Sequence, residues 1–178
     1  MSGHPAGARL RRQHARPVDG ETILQSVEPP ETDRSATPAR VAALRAHLAA
    51  LELDGFLVPH ADAYQGEYLP AAAERLAFLT GFTGSAGLAI VLSQEAALFV
   101  DGRYTLQAAD QVDGDLFAIV DSGRTRPSAW LKENLAAGAV LGYDPALHTL
   151  AEARRFREAV EAAGASLEPV AENPVDAV

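Results

Sequence analysis

Apolar positions along this chain alternate between helical spacing and short unbroken runs. After Thr37-Pro38, an N-cap followed by proline at the first helical position, Val41, Leu44, Leu48 and Leu51 recur at the period of an amphipathic helix. Asp54-Gly55 breaks that period, and Phe56-Leu57-Val58, closed by Pro59, reads as a buried strand. A polar loop from His60 to Pro70 follows, and then residues 72–79 place Ala72, Leu76 and Leu79 on one helical face that Gly81 ends. The runs 88–92 and 97–100 flank Ser93-Gln94-Glu95 and predict a hairpin of two buried strands.

The same rhythm continues to the end of the chain. A helix is expected over about 103–112 and a strand over 116–120. Pro127 can start a helix in which Trp130, Leu131 and Leu135 share a core-facing side, followed by a strand at 140–143. Thr149-x-x-Glu152 forms a capping box ahead of Phe156 and Val160, Gly164 stops that helix, and 166–170 make the last strand. Helices alternating with short apolar strands, plus one hairpin, predict an α/β fold: a mixed, mostly parallel sheet of about six strands with helices on both faces.

Residues 1–37 break the pattern. They are rich in Pro, Gly, Arg and Glu, lack apolar periodicity, and are expected to form a disordered extension, with the folded domain over 38–178. Net charge is −9, and the whole acidic excess falls in 38–178, where ten basic residues face nineteen acidic ones. Such a surface repels phosphate backbones, so no nucleic-acid partner is expected. No apolar run reaches about 18 residues and no h-region follows the early arginines, so neither a membrane partner nor secretion is expected. The chain has no cysteine, which removes disulfides and thiolate metal sites, and the expected location is cytoplasmic. The polar, proline-containing stretch Glu172-Asn173-Pro174-Val175-Asp176 directly after a strand reads as a domain boundary, so further domains are expected downstream.

Chemistry concentrates in two motifs, Arg75-Leu-Ala-Phe-Leu-Thr-Gly81-Phe-Thr-Gly84-Ser85-Ala-Gly87 and Asp101-Gly102-Arg103-Tyr104. Gly81, Gly84 and Gly87 lie between a helix and a strand, the reverse of a dinucleotide fingerprint, and the sole lysine, Lys132, sits outside any Walker A pattern. The glycines either adopt positive φ or admit close approach, by a ligand or a neighbouring domain. Thr83-Gly-Ser85-Ala-Gly87 departs from a nucleophile elbow, which makes Ser85 a turn hydroxyl and leaves no catalytic residue to assign. His60 and Asp62 have no further ligand partner in the pattern, so no metal site is expected.

Arg103 is the sharpest candidate. It follows a buried strand and an Asp-Gly turn, so its guanidinium emerges at a strand end, where a fork of donors can hold a peptide carbonyl or carboxylate. The competing reading is a brace to Asp101, Glu67 or Glu74. Tyr64, Gln65, Glu67 and Tyr68, in the loop after the first strand, either line the same edge or are ordinary loop polarity.

Phe56-Leu-Val-Pro59, Asp62-Ala-Tyr-Gln-Gly-Glu67-Tyr68, the run from Arg75 to Gly87, Asp101-Gly-Arg-Tyr104 with Gln107-Ala-Ala109, and Pro169-Val-Ala-Glu-Asn173-Pro-Val-Asp176 together resemble, in order, the N-terminal domain of Xaa-Pro aminopeptidases, the creatinase N-terminal domain, in the long three-domain form. The resemblance covers about residues 38–178. It implies a metallo-aminopeptidase that releases the N-terminal residue from peptides whose second residue is proline, with two divalent metal ions, usually manganese, held by Asp, Asp, His, Glu and Glu in a C-terminal catalytic domain. Those ligands, and the middle and catalytic domains, are implied to lie outside this chain, which alone is expected to be inactive. It would act as a substrate-gating and assembly domain. By the resemblance, Arg103 is a substrate-contacting residue; Tyr64 and Tyr68, from their place in the loop after the first strand, are expected to bind substrate beside it, and Gly81, Gly84, Ser85, Gly87, Asp101 and Gly102 are expected to be structural loop residues. The implied partners are an Xaa-Pro peptide and the chain's own catalytic domain, with a homodimer left open. Tyr64 stands where many relatives have His. The alternative is a stand-alone, non-catalytic binding or regulatory module on the same scaffold.

Overall fold

Among residues 34–66 and 68–178, which the computed structural model describes, six strands and five α-helices build the fold. The order is α1 (Thr37–Ala50), β1 (Gly55–Pro59), α2 (Arg75–Thr80), β2 (Gly87–Leu92), β3 (Ala96–Val100), α3 (Thr105–Gln111), β4 (Ala118–Asp121), α4 (Pro127–Asn134), β5 (Val140–Tyr143), α5 (Leu150–Ala162) and β6 (Ser166–Pro169). They form one sheet in the order β4-β3-β2-β1-β5-β6. The pairs β1/β5, β5/β6 and β3/β4 are parallel, whereas β2 runs antiparallel to both β1 and β3. Five strands therefore point the same way, and their C-terminal ends share one edge with the N-terminal end of β2.

Alternation along the central strands divides the core in two. Phe56, Val58, Ala89, Val91, Ala96, Leu98 and Val100 face α1, α2 and α3, packing against Val41, Leu44, Leu48, Leu76, Leu79 and Ala108. Leu57, Ile90, Ala97 and Phe99 face α4 and α5, against Leu131 and Val160. Both faces of these strands are covered, which is why they read as unbroken apolar runs. Trp130 packs its ring edge against Phe99 at 5.9 Å on the second face.

Several local expectations are corrected. Arg34–Ala36 form a 3-10 turn that leads into α1, so Thr37 lies inside the helix instead of capping it, with its hydroxyl buried. The rest of the expected disordered extension, residues 1–33, lies outside the described residues. The expected helix over 72–79 splits at Glu74 into a 3-10 turn, Ala71–Ala73, and α2, which buries Ala73 in place of Ala72. The helix expected from Arg103 starts as a 3-10 turn at Gly102–Tyr104, because Asp101 accepts from the Arg103 backbone N–H and tightens the first turn. β4 starts at Ala118, since Leu116 and Phe117 are held in a turn by the Asp113 carbonyl. The Thr149 capping box is present with both of its reciprocal bonds.

The chain after β6 folds back. Asn173 donates to Asp144 at 3.0 Å and accepts from the Val175 N–H, while Val175 is buried among the residues of the α1–α2 face. The C-terminal 3-10 turn, Pro174–Ala177, thereby closes onto α1 and α2.

Candidate functional site

The parallel strands deliver the predicted residues to one edge. The loop carrying Tyr64 and Tyr68 leaves the C-terminal end of β1, the turn carrying Arg103 leaves β3, and the glycine run enters β2 between them. Sheet order thus joins three segments that are distant in sequence, at the edge where open α/β sheets place their ligands.

Helix α2 ends at Gly81, whose φ of 81° closes a left-handed cap. Thr80 turns its hydroxyl back to the Leu76 carbonyl and accepts from the Phe82 N–H at 3.1 Å. Phe82 then enters the core. A Cβ on Gly84 would sit 2.2 Å from the tip of the Phe82 ring, and one on Gly87 would sit 2.9 Å from Leu76 and 3.1 Å from Phe82. Close approach is therefore the reason for both glycines, and the approaching groups are Phe82 at Gly84 and Leu76 with Phe82 at Gly87, where a ligand or a neighbouring domain was expected. Gly102 is different. A Cβ there would meet the Asp121 carboxylate at an ordinary 3.5 Å.

Two sets of hydrogen bonds fasten the glycine loop to the Arg103 segment. Ser85 Oγ and Tyr104 Oη are 2.7 Å apart. Thr83 donates its backbone N–H to Gln111 Oε1 at 3.0 Å, and its hydroxyl accepts from Gln111 Nε2 at 2.8 Å and from Gln107 Nε2 at 3.1 Å. Tyr104 also sets its ring against Phe82 edge to face, with centroids 5.9 Å apart at 85°. Tyr104, Thr83, Gln107 and Gln111 were not among the predicted site residues. Their signal was present in Asp-Gly-Arg-Tyr and in the i, i+4 glutamines, but only the fold shows what they face.

Arg103 is 77% exposed in its side chain. Its Nε donates to Asp101 Oδ1 at 2.9 Å, and its guanidinium lies 5.6 Å from the Tyr104 ring centroid. The bond to Asp101 holds the Arg103 pKa above its ordinary value, and the Arg103 backbone and side-chain N–H groups hold the Asp101 carboxyl below its own. Of the proposed braces, Asp101 is the observed partner. Glu74 lies instead 3.8 Å from His60, and Glu67 falls outside the described residues. The brace uses Nε, and the Nη groups make no hydrogen bond among the described residues.

Tyr64 and Tyr68 are 92% and 87% exposed. Asp62 organises their loop by accepting from the Tyr64 and Gly66 N–H groups, at 2.9 and 3.0 Å. The Asp62 carboxylate is thus engaged by backbone, and among the described residues no three His, Asp or Glu side chains converge to hold a metal ion. Leu106 and Leu150, 86% and 80% exposed, also follow the C-terminal ends of strands. The four large hydrophobic side chains most open to solvent among the described residues therefore all sit on segments that follow the C-terminal ends of strands. No helix of the described residues is long and apolar enough to cross a membrane.

A mostly parallel sheet bearing this edge and these loops defines a known class of domain. The Creatinase/Prolidase N-terminal domain model matches residues 40–177, and the chain belongs to that family. It is 41% identical over 144 residues to a probable Xaa-Pro aminopeptidase P of Ajellomyces dermatitidis, over 80% of this chain and 23% of that protein. With the one from Arthroderma otae it shares 38% over 171 residues, 93% of this chain and 27% of that one. The chain spans about a quarter of the length of these curated relatives. Among solved structures, the X-prolyl aminopeptidase of Caenorhabditis elegans, described as a cytosolic enzyme with a di-nuclear active site, superposes with a TM-score of 0.73 and 31% identity over 79% of this chain and 25% of that one. The N-terminal domain of the cytoplasmic peptidase PepQ from Mycobacterium tuberculosis superposes with a TM-score of 0.59 and 29% identity, over 78% of this chain and 97% of that one.

Proposed function

We propose that this chain is the substrate-gating and assembly domain of a cytoplasmic metallo-aminopeptidase that releases the N-terminal residue from Xaa-Pro peptides. The observation that carries this reading is the shared edge: Arg103, the tyrosine loop and the exposed apolar side chains all follow the C-terminal ends of strands, in a chain related throughout its fold to Xaa-Pro aminopeptidases. Exposed apolar side chains on the segments that leave the same strand ends as the braced Arg103 suit a face that another domain covers.

In this reading Arg103 binds a carbonyl or carboxylate of the peptide through its Nη edge, braced by Asp101. The edge closes over the peptide and excludes water. Tyr64 and Tyr68 flank the entering chain. Among the described residues no cluster of His, Asp or Glu side chains fits a metal pair. A di-nuclear centre, with manganese as the metal the family resemblance implies, would reside in a catalytic domain of the same protein.

The test is Arg103→Ala in the full-length enzyme, assayed on an Xaa-Pro peptide. A fall in kcat/KM of about tenfold, worth ~1.4 kcal/mol, is the expected result. Unchanged kcat/KM rejects the substrate role of Arg103. The 178-residue chain alone, supplied with manganese, is expected to give no turnover above a buffer blank.

A further inference from the structure

We propose that Tyr104 is the positioning residue for Arg103, and that the glycine run exists on this edge to seat it. The inference rests on the reading of Arg103 as a substrate contact. One phenol ring meets three groups. Its edge-to-face contact with Phe82 ties it to the core, its hydroxyl is 2.7 Å from Ser85 Oγ, and the Arg103 guanidinium lies 5.6 Å from its centroid. Its backbone N–H donates to the Asp101 carbonyl at 2.8 Å, so the residue that braces Arg103 through its carboxylate also fixes Tyr104 through its main chain.

The chain of support runs inward from there. Phe82 can lie where it does because Gly84 and Gly87 carry no side chain, since a methyl on Gly84 would overlap its ring. Thr83, the residue between Phe82 and Gly84, is bonded to Gln107 and Gln111 of α3, the helix that continues directly from the Arg103 turn. The glycine loop and the Arg103 turn are therefore one unit, with Tyr104 at its outer rim. An exposed arginine otherwise surrenders much of its rotamer freedom on binding a ligand. A ring face within cation–π range and a carboxylate at Nε restrict that freedom beforehand, which favours binding without a new ligand contact.

The experiment is a double-mutant cycle in the full-length enzyme, with kcat/KM on an Xaa-Pro peptide measured for Arg103→Ala, Tyr104→Leu and the pair. Tyr104→Leu is expected to lower kcat/KM about fivefold, chiefly through KM, when Arg103 is present, and to change it by less than about twofold when Arg103 is already Ala. Tyr104→Phe and Ser85→Ala remove the same hydroxyl contact, so they should give equal, smaller losses that do not add in the double variant. If Tyr104→Leu does not fold, as the circular dichroism of the 178-residue chain would report, Tyr104→Phe takes its place in the cycle, its smaller loss expected only when Arg103 is present. An equal penalty in both backgrounds, or none beside a clear Arg103→Ala loss, overturns the positioning role while leaving the reading of the site intact. A silent Arg103→Ala removes that reading and this inference with it.

Discussion

Arg75 holds Asp176 in a two-pronged ion pair across 101 positions of sequence, Nε to Oδ1 at 2.7 Å and Nη2 to Oδ2 at 2.8 Å. The pair joins the first residue of α2 to the C-terminal turn. Its hydrogen bond to Asp176, outweighing partial burial and aided by the charges of Asp176 and Asp144, raises the Arg75 pKa. Because the same α2 ends in the glycine loop, the turn that closes the domain and the loop that seats Tyr104 hang from one short helix.

Asp176→Asn is expected to destabilise the chain by about 1 kcal/mol, since the geometry is bidentate but the carboxylate is half exposed and screened. A thermal melt should fall by roughly 2–5 °C. The loss should shrink in high salt. An unchanged midpoint would mean that Val175 burial and the Asn173 bonds hold the turn without the ion pair.

Gly84→Ala sets a methyl against a fully buried ring. Phe82 cannot swing away without opening the core beside Leu76, so the cost is expected to reach about 2 kcal/mol or more in urea denaturation. In a Phe82→Leu background the same substitution should cost far less, because the colliding ring tip is gone. Equal costs in the two backgrounds would contradict the packing account.

Thr149→Ala removes both the acceptor for the Glu152 N–H and the hydroxyl that reaches Glu152 Oε2 at 2.8 Å. A loss of about 1 kcal/mol is expected from denaturant curves. Burial pushes the Glu152 carboxyl up, but the Thr149 backbone and side-chain bonds, together with the charges of His148 and Arg155, outweigh it and leave the pKa below its ordinary value. Its stabilising share is therefore complete above that ordinary value and is lost as pH falls through the lower native one. The gap between wild type and Thr149→Ala should narrow in acid.

His148 lies between the rings of Tyr143 and Phe156, 5.8 Å from each, with a buried Nε2. Burial pushes its pKa down, against the opposing pull of Glu152 and Asp144. Below the ordinary histidine value the unfolded chain takes up a proton that the folded chain resists. Its contribution is thus full at neutral pH and declines on acidification until the native pKa is passed. Urea midpoints at pH 7.5 and 5.5 should differ more for wild type than for His148→Gln, and equal differences would refute this assignment.

The sequence was most legible where a single period governs many residues. The buried runs of β1, β2 and β3 and the Thr149 box stand within a residue or two of their expected places, because alternation and capping are local properties. The Arg75–Gly87 and Asp101–Tyr104 motifs announced a shaped edge. Their partners were another matter. Phe82 read as one more apolar residue, and nothing in Gly84-Ser85-Ala-Gly87 states that the space between its glycines is filled by a ring two positions earlier. Thr37 read as a cap, yet the turn before it extends the helix backward and buries it.

By itself, then, the sequence determined the succession of helices and strands, the apolar character of the central strands and the two motifs that mark the edge, all written in neighbouring residues. Only the tertiary structure decided that β2 also pairs antiparallel with β1, that Tyr104 meets Ser85, and that Arg75 closes on Asp176. Those contacts join residues 19 to 101 positions apart. Such pairings carry no periodic signal, because they form only when sheet order and core packing bring distant segments to one edge.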